Sequence, residues 1–155
     1  MSFDIHQEAG LAELPEQLRR AQAVTPKLMA DVIGRACPRF PGWSPAAKTR
    51  IIRLVESGAF VDAALALLGL ELPGWQLRRL VYDDGEWICS LSKHRELPDW
   101  LDDTIEARHE TLVLAIVTAF VEAQGRGAGA DRNGSPTVPA VPRATDYALC
   151  CDNFA

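Results

Sequence analysis

Residues 75–92 read WQLRRLVYDDGEWICSLS, and this stretch decides the fold. Two β-prone runs lie on either side of the segment DDGE (83–86). The Asp-Gly pair in that segment supplies the positive φ angles that a tight hairpin turn requires. The stretch therefore predicts two antiparallel strands joined by a short turn.

Alternation along the first strand predicts which side chains share a face of this hairpin. It places Trp75, Leu77 and Val81 together on one face. Leu80 and Tyr82 are then expected on the opposite face. We expect the face that carries Trp75 to contact the helices.

A helix is predicted on each side of the hairpin. The first, FVDAALALLG (60–69), is apolar on nearly every face, which is typical of a buried helix. The second, ETLVLAIVTAFVEAQG (110–125), is expected to be helical from about Thr111 to Gln124, with Gly125 as its C-cap. Both helices are expected to cover the hairpin.

The acidic segment between the hairpin and the last helix, from His94 to Arg108, reads as irregular. We expect no more regular structure there than a helical turn at Trp100 to Ile105.

Three helix starts are predicted before residue 60, each at a proline. A short helix is expected to begin at Leu14-Pro15, after a loose arm of about ten residues. Thr25-Pro26 and Ser44-Pro45 each combine an N-cap side chain with a proline at the first helical position. Ser57-Gly58 is expected to end the third helix.

These elements predict an α+β fold in three parts. Residues 1–58 form an N-terminal helical extension, and residues 59–124 form a helix–β-hairpin–helix sandwich with a small antiparallel sheet. Residues 125–155 are rich in glycine, proline and alanine and lack apolar periodicity. We expect this C-terminal tail to be disordered.

Composition fits a soluble globular protein. The chain has 155 residues, of which 48% are hydrophobic and 24% charged, and its net charge is -5. A charge of this size demands neither nucleic acid nor an anionic membrane as a partner.

Cysteine spacing and hydropathy bear on the compartment. No two of the four cysteines have CxxC spacing; they are Cys37, Cys89, Cys150 and Cys151. The longest apolar run, 112–121, is too short to span a bilayer. The N-terminus lacks the apolar core of a signal peptide. We expect a cytoplasmic protein with reduced thiols and no membrane contact.

Charge is unevenly distributed along the chain: residues 15–53 are basic and residues 54–123 are acidic. The cations of the first range are Arg19, Arg20, Lys27, Arg35, Arg39, Lys48, Arg50 and Arg53. Two explanations remain open. The two parts attract each other within the fold, or the basic part is a surface that binds a partner.

The phrases VDAALALL (61–68), PGW (73–75) and ETLVLAIVTAFVEA (110–123) carry a family resemblance. In this order, with Trp87 as the aromatic residue of the second strand, they resemble the phage ABA sandwich, a small domain of phages and prophages. The resemblance covers about residues 60–123. The chain lacks the family's proline after Thr111 and carries an acidic insert, 96–106.

The resemblance implies a two- or three-layer α/β unit of phage or prophage origin. It implies no known catalytic residue.

Glu106 and His109 have the Glu-x-x-His spacing by which one helical turn presents a carboxylate and an imidazole to iron or manganese. Asp102, Asp103 and His94 are the further candidate ligands, but no spacing rule joins them. A solvated acidic loop is the default interpretation. A metal-dependent enzyme centred on Glu106 and His109 is one of the alternatives.

Other reactive residue types have structural explanations. Asp83, Asp84 and Glu86 suit a hairpin tip, and Cys89 lies between apolar neighbours, as a core residue does. No catalytic triad order and no phosphate-binding glycine loop is present. We therefore expect no catalytic residue and no cofactor.

A nucleic-acid surface is the other alternative. Its candidate residues are Arg19, Arg20, Lys48, Arg50 and Arg53. The break between the two predicted helices, 36–45, is too long for a helix-turn-helix. Phosphate contacts at this surface would therefore be non-specific and sensitive to salt.

The favoured hypothesis is a non-enzymatic interaction or accessory module of phage or prophage type. A two-stranded sheet is only marginally stable by itself. We therefore expect a homodimer, formed through a continuous sheet or through apolar helix faces.

Overall fold

The computed structural model describes residues 3–94, 96–98 and 100–130. Within this part of the chain, five α-helices and one three-stranded antiparallel sheet confirm the α+β class. A 3-10 turn, Phe40–Gly42, precedes the third helix. The elements in chain order are α1 (Phe3–Arg20), α2 (Pro26–Ala36), α3 (Pro45–Glu56), α4 (Phe60–Glu71), β1 (Gln76–Asp83), β2 (Glu86–Ser92), β3 (Thr104–His109) and α5 (Leu112–Ala130).

Two of the three predicted helix starts are confirmed by their caps. The Thr25 hydroxyl accepts a hydrogen bond from the backbone N–H of Leu28 at 3.2 Å. The Ser44 hydroxyl likewise accepts a hydrogen bond from the backbone N–H of Ala47 at 3.2 Å. Helix α3 ends as predicted, where Gly58 adopts a φ of 76° that glycine accommodates without strain.

The expected loose arm and helix start at Pro15 are wrong, because α1 runs from Phe3 to Arg20 with Pro15 inside it. Proline removes one intrahelical hydrogen bond, which normally disfavours this position. Leu14 and Leu18, on either side of it, are completely buried. Tertiary packing therefore stabilises a helix that local propensity does not predict.

The hairpin is confirmed. Strands β1 and β2 pair antiparallel, and the turn residues Asp84 and Gly85 have φ values of 49° and 86°. Both are positive, as a tight two-residue turn requires.

Strict alternation along β1 is wrong after Leu77, because the register shifts between Leu77 and Arg79. Leu77 pairs with Leu91 and Leu80 pairs with Cys89, so both lie on the face that joins the core. Val81 lies on the opposite face and is 37% exposed. Because of the bulge, the side chains in the second half of the strand lie on the face opposite to the one that strict alternation assigns to them.

Strand β3 is the main element that the sequence did not predict. It pairs antiparallel with β2, so the helical turn expected at Trp100 to Ile105 is wrong from Thr104 onward. A single turn precedes it and ends at Asp102, whose backbone N–H bonds to the Pro98 carbonyl. Ile105 and Ala107 are buried on the core face, at 1% and 4% exposure. Their alternation with charged residues is a strand pattern, although six residues are a short sample.

Helix α5 is the centre of the fold. It packs against β2 and β3 and also against α1 and α4, while α4 packs on α3 and α5. The expectation that two helices cover the sheet is therefore corrected, since α5 is its main cover. Leu114, Ile116 and Phe120 are almost completely buried in the shared core.

Two expected boundaries differ from the structure. Helix α5 continues through Gly125 to Ala130, so Gly125 is not a C-cap and the predicted tail does not begin there. Leu14 and Leu18 of α1 belong to the same core as Phe120, so the core has no break at residues 58–59. The remainder of the predicted tail, 131–155, lies outside the described residues.

None of the helices in the described part of the chain is long and apolar enough to cross a membrane.

Candidate functional site

Asp102 is the centre of a buried polar network at one end of the sheet. Its Oδ2 accepts hydrogen bonds from the Ser92 hydroxyl and from the Arg78 guanidinium, the latter at 2.8 Å. Its Oδ1 accepts from the backbone N–H of His94 at 2.9 Å. Arg78 also donates to the Leu97 carbonyl at 3.3 Å. The connection between β2 and β3 is therefore fixed to both β1 and β2.

The pKa of Asp102 reflects this network. Burial acts to raise it, but the hydrogen bonds from Ser92 and His94 and the charge of Arg78 outweigh burial. The pKa therefore lies below the ordinary aspartate value, and the carboxylate stays charged at neutral pH.

The described residues of the connection between β2 and β3, which are 93, 94, 96–98 and 100–103, are here called the Trp100 loop. Trp100 is 80% exposed and Leu101 is 55% exposed, and both lie directly before the buried Asp102. The backbone N–H groups of Leu101 and Asp102 bond to the Pro98 carbonyl at 2.9 and 3.1 Å. The loop thus presents two apolar side chains to solvent from a position held by hydrogen bonds.

Glu106 lies on the outer face of the sheet, the face that does not join the core, between two arginines. Its Oε2 is 3.1 Å from Arg79, and its Oε1 is 3.0 Å from Arg108. The bridge to Arg79 crosses Ser90, the residue of β2 that is paired with both. Both carboxylate oxygens are thus bound by guanidinium groups.

His109 is on the opposite face of β3, because positions three apart on a strand point in opposite directions. Its Nδ1 accepts a hydrogen bond from the backbone N–H of Thr111 at 2.9 Å, just before α5. The expectation that Glu106 and His109 share a helical turn is therefore wrong. Among the described residues, no group of three or more His, Cys, Asp or Glu side chains is arranged to hold a metal ion.

A second buried carboxylate, Glu71, lies at the end of α4. Its Oε2 accepts from Gln124 at 3.1 Å and from the backbone N–H of Arg39 at 3.4 Å. Its Oε1 and the indole N–H of Trp43 are also buried. Burial raises the pKa of Glu71, and these hydrogen bonds only partly oppose the effect.

The two described cysteines are buried and unpaired. Burial raises the pKa of Cys37, with a further contribution from Glu71, and burial raises the pKa of Cys89 to about 12. Cys89 is completely buried, which confirms the prediction that it is a core residue. Neither thiol is activated as a nucleophile.

Three of the five candidate nucleic-acid residues have partners within the chain. Arg19 and Arg20 both pair with Glu16 on α1, at 2.6 and 2.9 Å. Lys48 donates to the Pro41 carbonyl at 3.1 Å and lies over the ring of Phe40. These contacts offset part of their charge.

The other two candidates, Arg50 and Arg53, are exposed on α3 one helical turn apart. Neither forms an ion pair with any residue that the structure describes.

The two oppositely charged parts of the chain are also not joined by ion pairs among the described residues. The acidic part is neutralised by its own cations, as in the pairs Arg78–Asp102 and Arg79–Glu106. Direct pairing inside the fold therefore does not account for the charge of α3.

An open apolar groove lies between α3 and α4, beside Arg50. This α3/α4 groove has a volume of about 510 Å³. Its lining residues are Ala47, Arg50, Ile51, Leu54, Asp62, Leu65, Ala66, Gly69 and Leu70. It is apolar on both walls, with one cation and one carboxylate among its lining residues.

Sequence reasoning missed Trp100, Leu101 and Glu71 as structurally or functionally informative residues, and it considered Asp102 only as a candidate metal ligand. The available signal for the first two was an adjacent Trp-Leu pair within an otherwise acidic segment. The burial of the two carboxylates depends on tertiary contacts that the sequence does not specify.

No protein-family model, no curated protein and no solved structure matches this chain. The resemblance to the phage ABA sandwich therefore remains a prediction.

Proposed function

We propose that this protein is a non-enzymatic interaction module of phage or prophage type that self-associates through its Trp100 loop. The observation that carries the proposal is an indole that is 80% exposed on a loop fixed by the buried Asp102. A loop backbone that is already held in position loses little conformational entropy on binding. Tryptophan is also enriched among the residues that dominate interface energies.

The surroundings of the charged groups support a binding role rather than a catalytic one. Asp102 and Glu106 pair with arginines and connect strands of the sheet. A general acid or base functions best with a pKa near the working pH, whereas that of Asp102 is lowered. The unpaired buried thiols suit a reducing compartment, and we propose a cytoplasmic location on that basis.

Light scattering coupled to size-exclusion chromatography tests the proposal. At tens of micromolar the full chain is expected to be a dimer, and Trp100→Ala is expected to shift it toward the monomer. Tyr82→Ala is the matched control, since Tyr82 is an aromatic residue that is 61% exposed at the other end of the sheet. A wild-type monomer, or a dimer that Trp100→Ala leaves unchanged, would contradict the proposal.

A second candidate function is the binding of nucleic-acid phosphates by Arg50 and Arg53. The observation that favours it is that these two exposed arginines lack ion-pair partners within the described residues. Gel shifts at low salt with duplex and single-stranded DNA and RNA test it. A complex that Arg50→Ala weakens and that Arg79→Ala does not would support it, because Arg79 is already paired with Glu106. The absence of any complex would eliminate it.

A further inference from the structure

We infer that Arg39 extends the pair Arg50 and Arg53 into one surface that binds the phosphodiester backbone of a nucleic-acid strand. The inference rests on the second candidate function, and it adds a third binding residue from outside α3. The three residues are here called the three-arginine surface.

The sequence concentrates positive charge around this surface. Residues 32–55 contain five cations and no carboxylate, although the whole chain has a net charge of -5. The five are Arg35, Arg39, Lys48, Arg50 and Arg53. A basic segment of this kind in an acidic chain is typical of a surface that attracts polyanions.

Three of these five cations are available to a partner. Arg39, Arg50 and Arg53 are exposed, and their side chains make no ion pair or hydrogen bond with any residue that the structure describes. Arg35 and Lys48, in contrast, have partners within the chain. Direct contacts in the described part of the fold therefore leave the charge of the three arginines uncompensated.

The fold brings Arg39 and Arg50 to the same end of α4. The backbone N–H of Arg39 donates to the side chain of Glu71, the last residue of α4, at 3.4 Å. Arg50 lines the α3/α4 groove together with Gly69 and Leu70, which directly precede Glu71. Glu71 itself is buried, so it does not place its carboxylate on this surface. The connection between α2 and α3 therefore holds Arg39 beside the part of α3 that carries Arg50.

The exposed side of α3 suits a phosphate chain. Arg50 and Arg53 line one open depression there, together with Thr49, and its volume is about 650 Å³. Residues three apart on a helix are about 5–6 Å apart, so the two guanidinium groups can contact neighbouring phosphates of one strand. A guanidinium group matches phosphate oxygens with two N–H donors, and a threonine hydroxyl is a common further phosphate contact.

The same depression does not suit a membrane surface. Helices that bind in a membrane interface insert large apolar side chains such as Trp, Phe and Leu. None of the exposed residues that line the depression is of that type; apart from Thr49 and the two arginines they are Pro45, Ala46 and Ser57.

Fluorescence anisotropy with a labelled deoxythymidine oligonucleotide of about 20 nucleotides tests the inference on the full chain. Three phosphate contacts on a single strand predict a slope of about -2 for the logarithm of the association constant against that of the salt concentration. Arg39→Ala, Arg50→Ala and Arg53→Ala should each reduce the size of this slope by about 0.7. A labelled duplex should give the same order of variants, because phosphate contacts carry no sequence information.

Two controls separate a phosphate contact from a general effect of charge or folding. Arg19→Ala removes the same charge from an arginine that pairs with Glu16, and it should keep the wild-type slope. Arg39→Lys keeps the charge and should also keep the slope. Substitution of Arg39 leaves its backbone N–H in contact with Glu71, and circular dichroism confirms that each variant is folded.

The outcomes distinguish this inference from the second candidate function. If the wild type forms no complex, the second candidate function fails, and the three-arginine surface fails with it. If Arg50→Ala and Arg53→Ala reduce the slope but Arg39→Ala does not, the assignment of Arg39 is overturned and the second candidate function stands. An equal loss in Arg19→Ala would overturn the assignment as well. So would displacement of the oligonucleotide by polyglutamate at the same concentration of charge, because the surface would then bind carboxylates as well as phosphates.

Discussion

The substitution Leu18→Ala tests whether α1 belongs to the same core as the sheet. Leu18 is completely buried, and α1 packs against the central helix α5. The change removes three carbon atoms, each worth about 0.8 kcal/mol when buried, or about 2.4 kcal/mol together. The cavity left behind adds to this loss, so the expected cost is about 2–5 kcal/mol of unfolding free energy.

Urea unfolding, followed by circular dichroism, measures this cost in the full chain. Most single domains have a stability of about 5–15 kcal/mol, so the midpoint should fall by a large fraction. Ile52→Ala is the matched control, because it removes the same number of carbon atoms from a side chain on α3 that is 48% exposed. Its expected cost is about 0.5 kcal/mol.

Two results would refute the reasoning. The first is a cost for Leu18→Ala no greater than that for Ile52→Ala. The second is a wild-type transition with two phases, of which Leu18→Ala shifts only one. That result would mean that α1 unfolds separately from the sheet, as an independent extension made of residues 1–58 would.

Three further predictions concern the strand that the sequence did not reveal and the two buried carboxylates. Ile105→Ala should cost about 2–5 kcal/mol in urea unfolding, because Ile105 is 1% exposed on the core face of β3; a cost below about 0.5 kcal/mol would contradict its burial. Because the pKa of Asp102 is lowered in the folded state, its carboxylate stabilises the fold at pH values above 3.8, the ordinary aspartate pKa. The melting temperature of the wild type should therefore fall as pH drops below 3.8. Asp102→Asn should flatten this fall. The raised pKa of Glu71 has the opposite effect on stability. Its stabilising contribution to the folded state is present below pH 4.5, the ordinary glutamate pKa, and is lost as pH rises through the pKa that Glu71 has in the folded state. Thermal melts from pH 4 to 8 should show this loss in the wild type and not in Glu71→Gln, and parallel curves would contradict the assignment.

The features that the sequence predicted correctly are local ones. The caps Thr25 and Ser44 act within one helical turn, and the Asp84-Gly85 turn needs only its own backbone angles. Such features depend on few neighbours, so their residue types identify them.

The features that sequence reasoning missed depend on tertiary contacts. Pro15 disfavours a helix locally, yet α1 continues through it because Leu14 and Leu18 are buried. The bulge near Arg78 accompanies the contact of that arginine with Asp102, 24 positions away in the chain. A short segment such as β3 is identified only when its pairing with β2 is known.

The arrangement of the candidate site residues also depends on tertiary structure that the sequence alone did not reveal. Spacing alone suggested that Glu106 and His109 would converge, but that inference assumed a helix, and a strand separates them. Arg50 and Arg53 were identified as candidates from charge. Their lack of ion pairs, in contrast to Arg19 and Arg20, became visible only in the structure.

The sheet itself explains why self-association is expected at the Trp100 loop rather than through a continuous sheet. Strand β1 is an edge strand, and a bulge interrupts its register, which disfavours pairing with another strand. At the other edge, Arg126 donates to the backbone carbonyl of Thr104 at 3.1 Å and so occupies one of the groups that a new strand would need. The outer face offers little apolar surface, because Ile88 is only 5% exposed and the ion pair between Arg79 and Glu106 crosses the centre of the face. Burying that ion pair in an interface would carry a desolvation cost. The exposed side chains of Trp100 and Leu101 carry no such cost, so association through them is the energetically simpler route.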